Sequence, residues 1–577
     1  MAAEFINKLF RAMAVLLALS LAFISTAQAT CRPIDKLGPT PTRLVVITPA
    51  TGQGRAEWQT FIEAMKREPG SADMALLVFE HDIHMLTLGT AHQKATELSA
   101  CIAQKLVADP TLGPVTLIGH SIGGMLTRRA YLDAASATSP DARWSSRVDK
   151  ILLFTSVNRG IPATTRVSWW APVGGWLLHN VPRFGLPVHF VLEDLQLGSD
   201  FIADIRIGWI RHFGRLAAEG GVPQVVQFWG TQDSVVTQAD NTDLAAFNGD
   251  VVVQVPDAQH ANLQRLEERF TADPAARWAL FRQHLFAPPG PVQARTNYPD
   301  RRVLFIVRGI RDSAYSEWVS SLRTQAEKVY GPGNVITPEY GFFTAAQFAM
   351  KPIRRRNIPS FRDLYAEQLA KNPRTQFDVI AHSNGTYIVA ESLASTPSMQ
   401  LRHVALAAPV LPQEFPWANL HRRGQFQALR YDTARQDWPV GILCPGLRAL
   451  GYDDVGPAGL VLFGVPTHWG DGTESMRRVG WYPGGHGAAL MPGNREHLLR
   501  FVDTGTDFSA GEKLQDEAGS LAVWTRLTPY LLWLVIVGVV LGVWRWRRKA
   551  THPARWSVIG ASTFSAFVVV YLLLDAF

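Results

Sequence analysis

The chain has 577 residues, 47% of them hydrophobic and 18% charged, with a formal net charge of +7. That length exceeds a single hydrophobic core and points to roughly three or four domains, and the composition excludes a disordered chain. The charge excess is small for the length. Its densest clusters, Arg354-Arg355-Arg356 and the group from Arg545 to Lys549, carry no nucleic-acid motif, so no nucleic-acid partner is expected.

Residues 1–29 read as a secretory signal. Lys8 and Arg11 supply the positive start, residues 13–24 an apolar run too short for a comfortable span, and Ala27-Gln28-Ala29 the small-residue cleavage site. Export places the remainder in an oxidising compartment, where Cys31 and Cys101 are candidates for pairing, although sequence alone fixes no connectivity. Cys444 is then left as a buried structural thiol. No cysteine has metal-ligand spacing, and His81 and His84 lack a carboxylate or thiol constellation, so no metal is expected.

Residues 40–287 alternate apolar, β-branched runs with helical patterns, the rhythm of a parallel sheet covered by helices. A strand over 43–48 leads into the small-residue loop Pro49-Ala50-Thr51-Gly52-Gln53-Gly54. The strand over 115–118 meets Gly119-His120-Ser121-Ile122-Gly123 and then a helical segment from Met125 to Ala135. This is G-x-S-x-G between a strand and a helix, where a sharp reversal strains the serine backbone and lifts its hydroxyl clear of the sheet. From about 157 to 222 the rhythm breaks into apolar, Trp-rich and Pro/Gly-punctuated sequence, which reads as a cap. Its tryptophans suit either an apolar substrate or simple packing against the body or a membrane. The sheet resumes, and Asp233 and then His260 follow the ends of successive strands, completing the order Ser, Asp, His. His260 is the expected base for Ser121, with Asp233 holding its tautomer.

Residues 288–300 form a Pro-rich linker, and the pattern restarts over 301–505. A first strand over 302–307 meets Arg308-Gly309-Ile310-Arg311-Asp312 where an oxyanion loop belongs. A second elbow follows, Ala381-His382-Ser383-Asn384-Gly385, with alanine for the first glycine. Strands are expected over 403–408, 425–431 and 459–465. Asp437 and His486 are the acid and base for Ser383, with Asp432 and His468 competing for those roles. His120 and His382, just before the nucleophiles, are expected to orient loops.

After a polar tether over 506–528, the stretches 529–546 and 556–574 are each apolar enough to span a bilayer. The short loop between them is rich in arginine, so the positive-inside rule gives a hairpin with its loop in the cytoplasm and both ends outside. The expected site is the cytoplasmic (inner) membrane, with the folded domains on the periplasmic or extracytoplasmic side.

Both halves resemble the α/β-hydrolase family, over roughly 43–286 and 302–501. Gly-His-Ser-Ile-Gly-Gly and the later Val157-Asn158-Arg159-Gly160 look like lipase and esterase relatives, and Ala-His-Ser-Asn-Gly-Thr like a more diverged member. The resemblance implies two tandem α/β domains, backbone N–H groups of Ile122 and Asn384 as oxyanion donors, an apolar acyl-ester substrate, and no metal or cofactor. Three readings remain at this stage: a serine esterase, an acyltransferase using the same triad, and a catalytically silent second domain that serves as a binding scaffold. A transporter is disfavoured, because neither span carries a charged residue mid-membrane.

Overall fold

The computed structural model describes residues 31–84, 87–161, 189–219, 221–244, 250–290, 298–310, 312–313, 315–340, 344–461, 463–464, 476–506 and 519–549. The signal segment, the tryptophans at 169, 170 and 176, most of the linker, His468 and the second apolar stretch lie outside these. The chain divides into two compact units, Met1–Pro299 with Ala366–Pro373 and Asp300–Tyr365 with Arg374–Phe577.

The first unit is built on a seven-stranded sheet of order β1-β3-β2-β4-β5-β6-β7. Its strands are β1 (Asp35–Lys36), β2 (Arg43–Thr48), β3 (Met74–Val78), β4 (Val115–His120), β5 (Val148–Phe154), β6 (Gln224–Gly230) and β7 (Val251–Val255). Only β1 runs antiparallel, against β3. The central strands are buried along their whole length, which is why they read as continuous apolar runs. Parallel neighbours need crossovers, supplied by α1 (Gln59–Arg67), α2 (Ala91–Ala108), α3 (Ile122–Ser136) and α4 (Asp200–Glu219), while α5 (Pro274–Phe286) follows β7. One face of the sheet holds an aromatic core of Trp58, Phe61, Phe154, Phe228 and Phe281. Lys150, fully buried on β5, donates to the carbonyls of His284, Leu285 and Ala287, satisfying the orphan acceptors at the end of α5.

The span 157–222 is not all cap. Its last third is α4, the β5-to-β6 crossover, which buries Phe201, Ile205, Trp209 and Phe213 and packs Trp209 at a tilt against Tyr131 of α3. Ile202, Ile205, Trp209 and Phe213 recur at helical spacing, the stripe of an amphipathic helix.

The second unit has a six-stranded, wholly parallel sheet of order β13-β12-β11-β10-β8-β9. These are β8 (Arg301–Val307), β9 (Val335–Ile336), β10 (Thr375–His382), β11 (His403–Ala407), β12 (Ala428–Ala434) and β13 (Met476–Tyr482). Helices α6 (Glu317–Tyr330), α7 (Asn384–Ser395) and α8 (Pro492–Thr504) follow β8, β10 and β13. The last strand is therefore not the run 459–465. Gly459 instead donates to the Pro409 carbonyl at 2.8 Å, and Leu460 and Val461 turn back onto Pro457. Their apolar character serves packing in a turn. Of the arginine cluster only Arg354 is internal: it is fully buried and pairs with Asp454, while the part-exposed Arg355 pairs with Glu391 and Arg356 is exposed.

The apolar helix α9 spans Leu521–Lys549, with Pro529 inside it, so the expected tether is helical from 521 onward. Among the described residues, the window Leu521–Gly538 is long and apolar enough to cross a membrane, and only 6% of it is buried.

Cys31 and Cys101 form a disulfide across a sequence separation of 70 residues. Closing a loop of that length restricts the unfolded chain by about 4 kcal/mol. Reduction, or Cys101→Ser, is expected to destabilise the first unit by about 2–4 kcal/mol in urea unfolding and to leave the second unit's transition in place. An unchanged first transition would show that the bond constrains nothing.

Candidate active site

Each unit places its serine at the carboxyl end of a central strand, and the backbone there is repeated closely. Ser121 has φ 56° and ψ −121°, and Ser383 has φ 53° and ψ −122°. Non-glycine residues rarely occupy this region, and the strain is held by packing on every side. A Cβ on Gly123 would stand 2.1 Å from the Thr48 carbonyl oxygen, and one on Gly385 2.1 Å from that of Val307. Only glycine lets the helix start this close to the neighbouring strand. A Cβ on Gly119 would meet Gly124 Cα at 2.5 Å. The second elbow keeps Ala381 at that position and instead has Thr386, whose hydroxyl donates to the Ser383 carbonyl at 2.6 Å. Thr155 and Ala408, the residues after β5 and β11, also have positive φ, at 38° and 49°. No sequence signal marked this second matching pair.

In the first unit three side chains form a continuous relay. Ser121 Oγ lies 2.8 Å from His260 Nε2, and His260 Nδ1 lies 2.9 Å from Asp233 Oδ2. Asp233 also accepts the backbone N–H groups of Val235 and Val236 at 2.8 and 3.0 Å, which fixes its carboxylate. Burial alone would raise the Asp233 pKa, but the bond and charge of His260 and the two amides hold it below the ordinary value. With Nδ1–H donated to that carboxylate, Nε2 is left to take the serine proton. Ile122 is the first residue of α3, so its N–H has no intrahelical carbonyl and sits at the positive end of the helix beside Ser121.

His120, expected to orient a loop, and His81, for which no such role was expected, position this site. His120 Nε2 lies 2.7 Å from the His260 carbonyl, and Nδ1 lies 3.1 Å from the Gln53 side-chain amide. His81 Nε2 lies 2.9 Å from the Pro49 carbonyl, while its Nδ1 accepts the Ile83 N–H at 3.0 Å. The first histidine pins the base loop and the second the loop after β2. Both are fully buried, and burial pushes their pKa values down to about 3 and about 4. His81 is thus a structural anchor. Among the described residues no three His, Cys, Asp or Glu side chains gather as metal ligands.

The second unit assembles the same residue types differently. His486 Nδ1 lies 2.9 and 3.0 Å from the two oxygens of the fully buried Asp437. Among the described residues, Ser383 Oγ makes no hydrogen bond to His486. Asp432 is taken up by Arg430 and Tyr482, so it does not serve as the acid. Asp312, in the loop after β8, accepts from Trp318 at 3.1 Å and stands 3.6 Å from His382 Nδ1. Burial lowers the His486 pKa, but Asp437 and the charge of Asp312 outweigh it and the net shift is upward. Gly309 passes directly over the serine, since a Cβ there would be 2.8 Å from Ser383 Cβ. Asn384 begins α7, and its fully buried side-chain amide has no partner among the described residues. A buried amide left so costs about 1–3 kcal/mol.

No family model matches this sequence, and no curated protein matches it. Among solved structures the chain is similar to a monoacylglycerol lipase from Paleococcus ferrophilus, at 17% identity over 44% of this chain and 99% of that one, TM-score 0.28. It is also similar to Est1E from Butyrivibrio proteoclasticus, at 12% identity over 44% and 93%, TM-score 0.26. A third similarity is to the esterase Est2 from Thermogutta terrifontis, at 16% identity over 46% and 97%, TM-score 0.29. These likenesses are too distant to bear on the chemistry.

The histidines are expected to titrate apart. By NMR of the imidazole signals, His486 should have its midpoint above 6.5, and Asp437→Asn should bring it down, whereas His81 and His120 stay neutral until about pH 4 and 3. The unfolded chain takes up protons at these last two near pH 6.5, before the folded one does. Stability of the first unit should therefore fall as pH drops below 6.5, with a limiting slope of about 1.4 kcal/mol per pH unit for each histidine. Replacing His81 with glutamine should flatten that slope. The Asp437–His486 pair has the opposite sign, stabilising below pH 6.5 and losing that contribution as pH rises through the raised folded value.

Proposed function

We propose that this protein is an exported, membrane-anchored serine hydrolase of carboxylic esters, built from two α/β-hydrolase-type domains in tandem, with Ser121 as its main centre. The observation that carries this reading is the unbroken chain Ser121–His260–Asp233, held at hydrogen-bond distances on the ends of three parallel strands. Ser121 Oγ attacks the acyl carbonyl carbon while His260 Nε2 takes its proton. The tetrahedral oxyanion is met by the Ile122 N–H, and collapse expels the alcohol, which leaves with the proton from His260. Water, deprotonated by His260, then attacks the acyl-enzyme and releases the acid. Asp233 keeps its charge throughout and stabilises the imidazolium that forms twice per turnover.

Export is supported by the N-terminal sequence pattern and by a disulfide in the first unit. Anchoring is supported by α9, with the remaining apolar stretch as the other arm of a hairpin in the cytoplasmic membrane. An apolar acyl ester is the substrate class that suits a chain held at a lipid surface.

A different reading of the second unit has its own support. The missing bond between Ser383 and His486, together with the extra carboxylate of Asp312, favours a domain that binds rather than turns over. A negative charge beside the nucleophile opposes a developing oxyanion, and a raised imidazole pKa leaves less free base near neutrality.

A fluorophosphonate probe is expected to label Ser121 quickly and Ser383 at least tenfold more slowly. Ser121→Ala should lower kcat toward p-nitrophenyl esters by about 10⁴-fold or more. Equal labelling of both serines would restore the second centre to full rank. Labelling of neither would remove the hydrolase reading.

A further inference from the structure

Next to the Asp437–His486 pair, the second unit holds a cavity of about 590 Å³ whose lining does not include Ser383. Arg435 and Trp438 flank Asp437 and form one wall, Gly484 before His486 forms a second, and Ser520, Leu521 and Trp524 at the start of α9 form the third. The first two walls are stitched together by Gln436 N–H donating to the Gly484 carbonyl at 2.9 Å and by Arg435 N–H donating to that of Tyr482 at 3.1 Å. The segments that carry the acid and the base thus share this lining with the apolar helix.

The position of the cavity along α9 defines what reaches it. Trp524, Leu527, Tyr530, Leu531, Trp533 and Leu534 are exposed to an extent that only lipid would cover. Arg526, also exposed, lies among the first turns and holds that end at the level of the lipid head groups, where indoles such as Trp524 and Trp438 are favoured. Gly519 leaves room for Arg435 against the helix start, since a Cβ there would stand 2.9 Å from the Arg435 carbonyl oxygen and 3.5 Å from its Nε. The cavity is within the roughly 300–1,000 Å³ of small-ligand sites. It pairs a guanidinium with two indoles and a leucine, at the depth where an amphiphile keeps its head in water and its chain in oil.

We propose that this cavity binds a single-chain anionic amphiphile drawn from the membrane surface, a long-chain carboxylate, with its head on Arg435 and its chain between Trp438, Leu521 and Trp524. A guanidinium suits a carboxylate by charge-assisted, bidentate bonding. The choice of a carboxylate rests on the ester-hydrolase reading, whose product it would be; the anionic-amphiphile site does not.

The test uses the full chain in phosphatidylcholine vesicles with a diazirine-bearing palmitate, and cross-linked peptides are mapped by mass spectrometry. Adducts are expected in 435–438 and 519–524, competed by palmitate and not by hexadecanol. They should fall at least fivefold in Arg435→Gln and in Ser520→Trp, which fills the cavity. Each variant is checked for folding by the urea transition of the second unit, and the competition by palmitate stands independently of any variant. Cross-linking in the double variant Ser121→Ala, Ser383→Ala should match the parent, so loss of hydrolysis and loss of this site read out separately. Adducts only beyond Tyr530, or equal competition by the alcohol, would overturn the proposal. A photoactivatable phosphatidylglycerol that labels the cavity in place of palmitate would overturn the carboxylate assignment.

Discussion

The arrangement of the site depends on one backbone constraint, the serine held with positive φ between a buried strand and the helix that follows. An L-residue enters this region only under compulsion, at a cost of order 1–3 kcal/mol. At Ser121 the compulsion is visible atom by atom. The strand before it is locked between β2 and β5, its N–H is bonded to the Phe154 carbonyl at 3.0 Å, and Gly123 lies where any side chain would strike Thr48. The hydroxyl is then committed to the space above the sheet, and the later strands need only deliver an imidazole and a carboxylate there. The matching bond in the second unit runs from Ser383 N–H to the Ala407 carbonyl at 3.1 Å.

The two units share that constraint and differ in what surrounds it. Around Ser121 the neighbours are neutral histidines that fix loops. Around Ser383 they include a second carboxylate, a buried amide without a partner and a base paired symmetrically with its acid. The same strained elbow thus stands in two different electrostatic settings. Electrostatics above the strand decides what the hydroxyl can do.

Much of this was legible in the residues. The elbow is readable because its glycines answer a steric need at fixed offsets, and the strands because parallel, doubly covered strands must be apolar throughout. The order of Ser121, Asp233 and His260 follows from chain direction, since each follows the carboxyl end of its strand. Three features were not legible. Helix α4 carries an apolar stripe at helical spacing, Ile202, Ile205, Trp209 and Phe213, but it directly follows Trp-, Pro- and Gly-rich sequence that breaks the rhythm. The run 459–465 has strand composition, but a proline-anchored turn satisfies its backbone. That Ser383 makes no hydrogen bond to His486 among the described residues is a matter of side-chain geometry, which spacing cannot encode. His81 and His120 were visible as residues, yet their work lies in which carbonyl each faces.

Pro529 gives α9 a property of its own. A proline donates no N–H, so the carbonyl of Thr525, four residues earlier, loses its helical partner. In hydrocarbon such an oxygen is costly. Under the proposed anchoring, the proline would then mark a boundary, with the turn before it kept against the folded unit, where Thr525 is buried, and the crossing beginning beyond it.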